Sequence, residues 1–115
     1  MDVAAFAQRV TRLRVVEDDL PLAVGAVLID RIGARPVAPT IVVNRRWSRA
    51  HRNLAVAHEL GHWVLRAGAT PPPPGWTARR RLEWEADRFA LALLAPETVR
   101  PGGRLDRAAR GAARD

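Results

Sequence analysis

At 115 residues the chain is long enough for one small domain with a single core and too short for two. It contains no cysteine, which excludes disulfides, thiolate metal ligands and a thiol nucleophile, and leaves histidine and carboxylate as its strong ligands. The formal net charge is +7 and all 19 basic residues are arginine. They are scattered through every segment rather than gathered into one stripe, so direct nucleic-acid binding is not the favoured reading. No basic start leads into an apolar run, and nowhere are there 18 uninterrupted apolar residues, so no membrane partner is expected and the cytoplasm is the default location.

Residues 2–16 place Val3, Phe6, Ala7, Val10 and Leu13 at the spacing of one helical face, with Asp2 as the cap, and predict an amphipathic helix. Glu17-Asp18-Asp19-Leu20-Pro21 ends it, because the residue before a proline is pushed out of the helical region. The runs 22–30 and 40–44, rich in valine and isoleucine, predict two strands in an antiparallel pair. One edge of that pair is either free beside the helix that follows, where an extended peptide could pair with it, or covered by the N-terminal helix or a partner subunit.

Ser48 is placed to cap a long helix over about 48–67, which Gly68 would stop. This helix carries His58-Glu59-Leu60-Gly61-His62. Residues four apart lie one turn above each other, so His58 and His62 can aim at one point, which suits a zinc ion. Glu59 projects from the flank of that pair, where it can reach a water at the ion without ligating it, the position of a general base. By chance alone His-Glu-x-x-His would arise in roughly one chain of this length in a few hundred, which favours a metal site over coincidence. At 100° per residue, Leu54, His58, His62 and Leu65 fall in one arc. Ala50, Ala57, Leu60, Gly61 and Val64 fill the adjoining side, which predicts that both histidines lie within the buried stripe. Arg52, Glu59 and Arg66 share the flank, at the border of a cleft. His51 is in the histidine arc but about 10 Å up the axis, so His51 and Arg52 are candidates for lining the cleft rather than for ligation.

Residues 68–76, with four consecutive prolines, predict a semi-rigid spacer. Thr77 then caps a helix over about 78–95, closed by Pro96, with a core stripe of Leu82, Ala86, Phe89, Ala90 and Leu93. Trp84 and Leu91 lie opposite that stripe and suggest a second apolar face. Residues 101–115 are expected to be a mobile tail, with a single domain over 1–100.

A hydrolytic zinc site needs a third protein ligand, and the acidic residues on a helix able to pack against the histidines are Glu83, Glu85 and Asp87. Residues 54–65, Leu-Ala-Val-Ala-His-Glu-Leu-Gly-His-Trp-Val-Leu, and 83–96, Glu-Trp-Glu-Ala-Asp-Arg-Phe-Ala-Leu-Ala-Leu-Leu-Ala-Pro, together resemble the ImmA/IrrE family of small gluzincin metallopeptidases. The resemblance spans about residues 22–97 and includes the Ile-Val-Val-Asn strand. It implies an α+β fold, a compact zincin-like minimal metallopeptidase domain with an active helix, a glutamate helix and a small antiparallel sheet. It implies Zn2+ as cofactor, His58, His62 and Glu83 as ligands, Glu59 as the catalytic base, and Asp87 orienting His58. It further implies a protein or peptide substrate such as an XRE-type helix-turn-helix repressor. The wheel agrees on the third ligand, since Glu83 lies about 65° from the centre of its helix's apolar stripe and Glu85 about 95°. After residue 97 the pattern of further helices is not matched. Two alternatives to an active endopeptidase therefore stand: a metal-stabilised module that captures a regulator or toxin through Trp84 and Leu91, or a truncated fragment of a larger protease.

Overall fold

The computed structural model describes residues 1–66 and 71–95. A first helix, α1 (Val3–Thr11), is followed by strands β1 (Arg14–Asp18), β2 (Ala26–Ile32) and β3 (Arg35–Asn44) and by two 17-residue helices, α2 (Arg49–Leu65) and α3 (Ala78–Leu94). The result is an α+β domain. Asp2, Ser48 and Thr77 each accept a hydrogen bond from the backbone N–H three residues on, so all three helices start at the expected caps. The stops expected at Gly68 and Pro96, and the tail over 101–115, lie outside the described residues.

The helix expected over 2–16 ends at Thr11. Arg12 takes a left-handed conformation at φ 63°, and the Thr11 hydroxyl accepts from Leu13 N, which turns the chain into β1. Leu13 is buried in the connection that leads into β1, not as a continuation of a helix face, while Val10 on that supposed face is 58% exposed. The β-branched pair Val15-Val16 favours the extended form.

The sheet is therefore larger than expected and mixed, in the order β1-β3-β2. β1 runs parallel to β3, with Arg14 opposite Thr40 and Asp18 opposite Asn44. β2 and β3 form the antiparallel hairpin, turned at Gly33 with φ 62° and irregular between Ile29 and Arg31. Pro36 and Pro39 are tolerated in β3 because they lie before the stretch that β1 covers, where no second strand asks for their missing N–H. Residues 22–25, expected to be strand, instead form a turn that leads into β2, with Val24 N donating to Pro21 O. In the spacer, Trp76 N donates to Pro73 O and Gly75 takes φ 85°.

The core joins Val3 and Ala7 of α1, Ile41 and Val43 of β3, Val56, Ala57 and Leu60 of α2, and Ala90 of α3. The buried stripe of α2 is thus rotated from the expected one: Leu54 and Val64 are 43% and 46% exposed. Consequently His58 and His62 sit at the edge of the buried stripe, not within it. Leu82 of α3, expected in the core, is likewise exposed. α2 and α3 meet at Gly61, where a Cβ would lie 3.1 Å from the Ala86 carbonyl oxygen and 3.2 Å from Phe89 Cβ. A side chain there would push the helices apart; its absence brings the acidic shoulder of α3 up to the histidines.

Candidate metal centre

Because the helices are this close, Glu83 reaches both histidines. Its Oε1 is 3.1 Å from His58 Nε2 and its Oε2 is 3.0 Å from His62 Nε2, while the two Nε2 atoms are 3.2 Å apart. On the outer side of His58, Nδ1 is 2.7 Å from Asp87 Oδ1. A carboxylate can only accept there, so the ring proton belongs on Nδ1 and the Nε2 lone pair faces inward. Two imidazole nitrogens and the two oxygens of one carboxylate then confront one another at about 3 Å, with too few protons to satisfy them all. Nitrogen and oxygen ligands held about 2.0–2.1 Å from a tetrahedral ion sit about 3.3 Å apart, so the donor set fits a divalent metal. Among the described residues, His58, His62 and Glu83 form a cluster able to hold such an ion. The histidine side chains are 23% exposed and that of Glu83 45%, which leaves one side of the centre open.

Glu59 lies half-buried next to this cluster. Burial pushes its carboxyl above the ordinary value of 4.5, and repulsion from Glu83 adds to that; His62 and His58 pull the other way. The group is thus poised to accept a proton more readily than a solvated glutamate. Glu85, the rival to Glu83, faces elsewhere, with its carboxylate 3.7 Å from the Arg81 guanidinium.

A cavity of about 420 Å³ opens at His58, Glu59 and Asp87. Its walls are Gly25 and Ala26 at the start of β2, Trp47, Leu54 and Ala55 at the head of α2, and Leu91 of α3. Neither residue expected to line the cleft does so. The Arg52 guanidinium donates to the Arg45 and Trp47 carbonyls in the turn before α2, and His51 bonds the Ser48 hydroxyl at 2.6 Å and meets Trp47 edge-on. Both are used up in shaping the turn before α2. Trp84 and Leu91 lie two turns apart on the exposed side of α3, at 38% and 65% exposure, but their surroundings differ. Trp84 stands between the Arg81 and Arg88 guanidiniums, each 4.9 Å from its ring, and meets Trp76 edge-on, while Leu91 belongs to the cavity.

Two residues that sequence reasoning passed over, Trp47 and Gly25, line the cavity, and a third, Asn44, holds the turn behind them. Trp47 Nε1 donates to Leu22 O at 2.8 Å, which fixes the indole. Gly25 gives the ring room, since a Cβ there would come 2.4 Å from Trp47 Cζ3. Asn44, fully buried, ties the 20–24 turn to the end of β3 through the Leu20, Pro21 and Val24 carbonyls. A glycine at the mouth of a strand is a signal of close approach, and a lone asparagine ending an apolar strand is a signal of a buried polar tie.

The fold and the donor set define an α+β domain built on a His-Glu-x-x-His helix whose histidines converge with a glutamate from a second helix. The profile of the IrrE N-terminal-like domain, a peptidase family, matches residues 10–99. The chain belongs to that family. No curated protein matches the chain significantly. No helix among the described residues is long and apolar enough to cross a membrane.

Proposed function

We propose that the protein is a zinc-dependent endopeptidase of the gluzincin type, with His58, His62 and Glu83 holding the ion and Glu59 as the general base. The observation that carries this reading is the meeting of three ligand side chains, with contacts of about 3 Å, beside a half-buried carboxylate at a cavity mouth. Zinc, when bound, supplies Lewis acidity toward a peptide carbonyl and makes a neighbouring water more acidic. Glu59, with its raised proton affinity, takes the proton of the attacking water and hands it to the leaving amine. Asp87 holds the His58 ring in the tautomer that offers Nε2 inward. The substrate is an extended segment of a regulatory protein, such as a helix-turn-helix repressor. The choice of repressor rests on the family; the extended form is supported by β2, which is a sheet edge and whose first residue, Ala26, lines the cavity.

Capture without cleavage is the weaker reading, because the Trp84 end of the surface it requires is flanked by two guanidiniums, the Leu91 end already lines the cavity, and a binding module has no need of Glu59. The test is to incubate the zinc-reconstituted protein with the repressor encoded beside it, with and without chelator, alongside Glu59→Gln. Wild type should cut and chelator should stop it, whereas Glu59→Gln should bind about one zinc per chain and cut nothing. No zinc uptake after reconstitution, or cleavage by Glu59→Gln at the wild-type rate, refutes the assignment.

A further inference from the structure

We propose that the cavity beside Glu59 is a side-chain subsite that selects a large apolar residue in the substrate and rejects an acidic one. The proposal rests on the peptidase reading for what the selection serves, but the binding itself needs no turnover. The walls supplied by Trp47, Leu54, Ala55, Ala26 and Leu91 are apolar, and charge enters only at the end where Glu59, Asp87 and His58 stand. A volume of about 420 Å³ is at the small end for ligand pockets, about 300–1,000 Å³, so it accepts one large side chain with its adjoining peptide groups rather than a folded surface.

Two features separate this cavity from an accidental gap in packing. Leu54 and Leu91 are 43% and 65% exposed, so neither is there to fill the core, yet both project apolar surface at the same opening from different helices. The opposite wall is built before any ligand arrives: the Trp47 indole is anchored on Leu22 O and seated against Gly25, where even a methyl group would collide with it. A preformed apolar wall binds an apolar side chain without the entropy cost of ordering itself. An aspartate or glutamate entering the same space would meet the Glu59 and Asp87 carboxylates, a like-charge approach that an apolar side chain avoids. Leucine, methionine and phenylalanine are therefore favoured over alanine, and alanine over glutamate. Differences of this kind in an apolar pocket are worth about 10- to 200-fold in kcat/KM.

The test uses blocked pentapeptides, Ala-Ala-X-Ala-Ala, with X leucine, alanine, glutamate or lysine, titrated into the 15N-labelled full chain. The indole N–H signal of Trp47 is the readout, assigned with Trp47→Phe; the indoles of Trp63, Trp76 and Trp84 lie outside the cavity lining and serve as internal references. The Trp47 signal should move with the leucine peptide at least about 10-fold more tightly than with the alanine peptide, and not at all with glutamate. In Leu54→Glu/Leu91→Glu, a double variant at two exposed positions outside the ligand and base set, the leucine response should vanish and a lysine response should replace it. Equal responses to leucine and alanine, no response of Trp47, or a leucine response that survives the double variant each overturn the proposal. A zinc-loaded cleavage assay on the same peptides separates the two readings. Leucine-dependent shifts without cleavage leave the subsite standing and remove the peptidase; cleavage indifferent to X does the reverse.

Discussion

Asn44→Ala tests whether the cleft wall hangs on a single buried amide. The residue is fully buried at the end of β3, with Nδ2 2.9 Å from Val24 O, 3.1 Å from Pro21 O and 3.2 Å from Leu20 O. Its Oδ1 accepts from Arg46 N at 3.0 Å and from Leu20 N at 3.4 Å. An amide nitrogen has two protons, so one of them is shared, and the whole amounts to about four bonds. At about 1 kcal/mol net for each, the set is worth about 4 kcal/mol; water reaching some of the released turn groups lowers the expected loss to about 2–4 kcal/mol. That is a large part of the about 5–15 kcal/mol that typically holds a domain together. Urea unfolding of the metal-free protein, followed by tryptophan fluorescence, measures it. The Trp47 emission should also change before unfolding, because the freed turn carries the Leu22 carbonyl that anchors the indole. Asn44→Asp should be worse than alanine at neutral pH, since it sets a carboxylate against three carbonyl oxygens. Its folded-state pKa is then raised, so the deficit should shrink as the pH falls and the acid form regains a donor. A loss below about 1 kcal/mol for Asn44→Ala, or an Asn44→Asp protein as stable as wild type at pH 7, refutes the reasoning.

Zinc titration of Glu83→Ala should show affinity reduced by more than about 100-fold, beyond the range for a residue that only orients a ligand, while Glu85→Ala should bind as wild type does; the opposite ranking would mean that α3 presents its other shoulder. Asp87→Ala should weaken zinc binding about 10- to 100-fold, because the His58 ring loses its Nδ1 acceptor but keeps Nε2, and unchanged affinity would remove Asp87 from the centre. In the metal-free protein Glu59→Gln should be the more stable form at pH 7. Burial raises the Glu59 pKa, so below 4.5 the group is protonated in both folded and unfolded chains, and above its raised folded value the full cost of burying the charge falls on the fold. Thermal unfolding should show the two proteins converging as the pH drops to 4.5 and below and separating above it; a gap that widens in acid contradicts the sign.

What the sequence made legible is what depends on spacing within one helix and on caps. Ser48 and Thr77 start α2 and α3, the four-residue step brings His58 and His62 together, and the shoulder shared by Glu83 and Asp87 points both at those histidines. What stayed hidden depends on partners far along the chain. Leu13 fits the period of α1 but is buried just after the helix has ended, at the entry to β1, and the parallel pairing of β1 with β3 joins residues about 26 apart with no local signal. Leu22-Ala23-Val24 looks like strand by composition and is turn because Asn44 supplies the bonds that a ladder would have given. A helical wheel finds that α2 has apolar residues on two arcs, but which arc is buried is decided by where the sheet and α3 lie; hence Leu54 and Val64 are exposed.

The charge distribution shows why composition misleads about this site. The chain carries +7, yet the centre gathers Glu59, Glu83 and Asp87 around two histidines, and no arginine lines the cavity among the described residues. Several arginines among the described residues are engaged elsewhere: Arg45 with Asp18 and Asp19, Arg66 over the Trp63 ring, Arg80 over Trp76, Arg81 and Arg88 over Trp84. Screening at physiological salt acts over about 8 Å, so exposed cations beyond that reach contribute little to the field at the histidines, while Glu83 and Asp87 act at contact distance and Glu59 stands beside them. The site is therefore acidic inside a basic protein. That sign favours a divalent cation at His58, His62 and Glu83, and it is the same sign that bars an acidic side chain from the cavity next door.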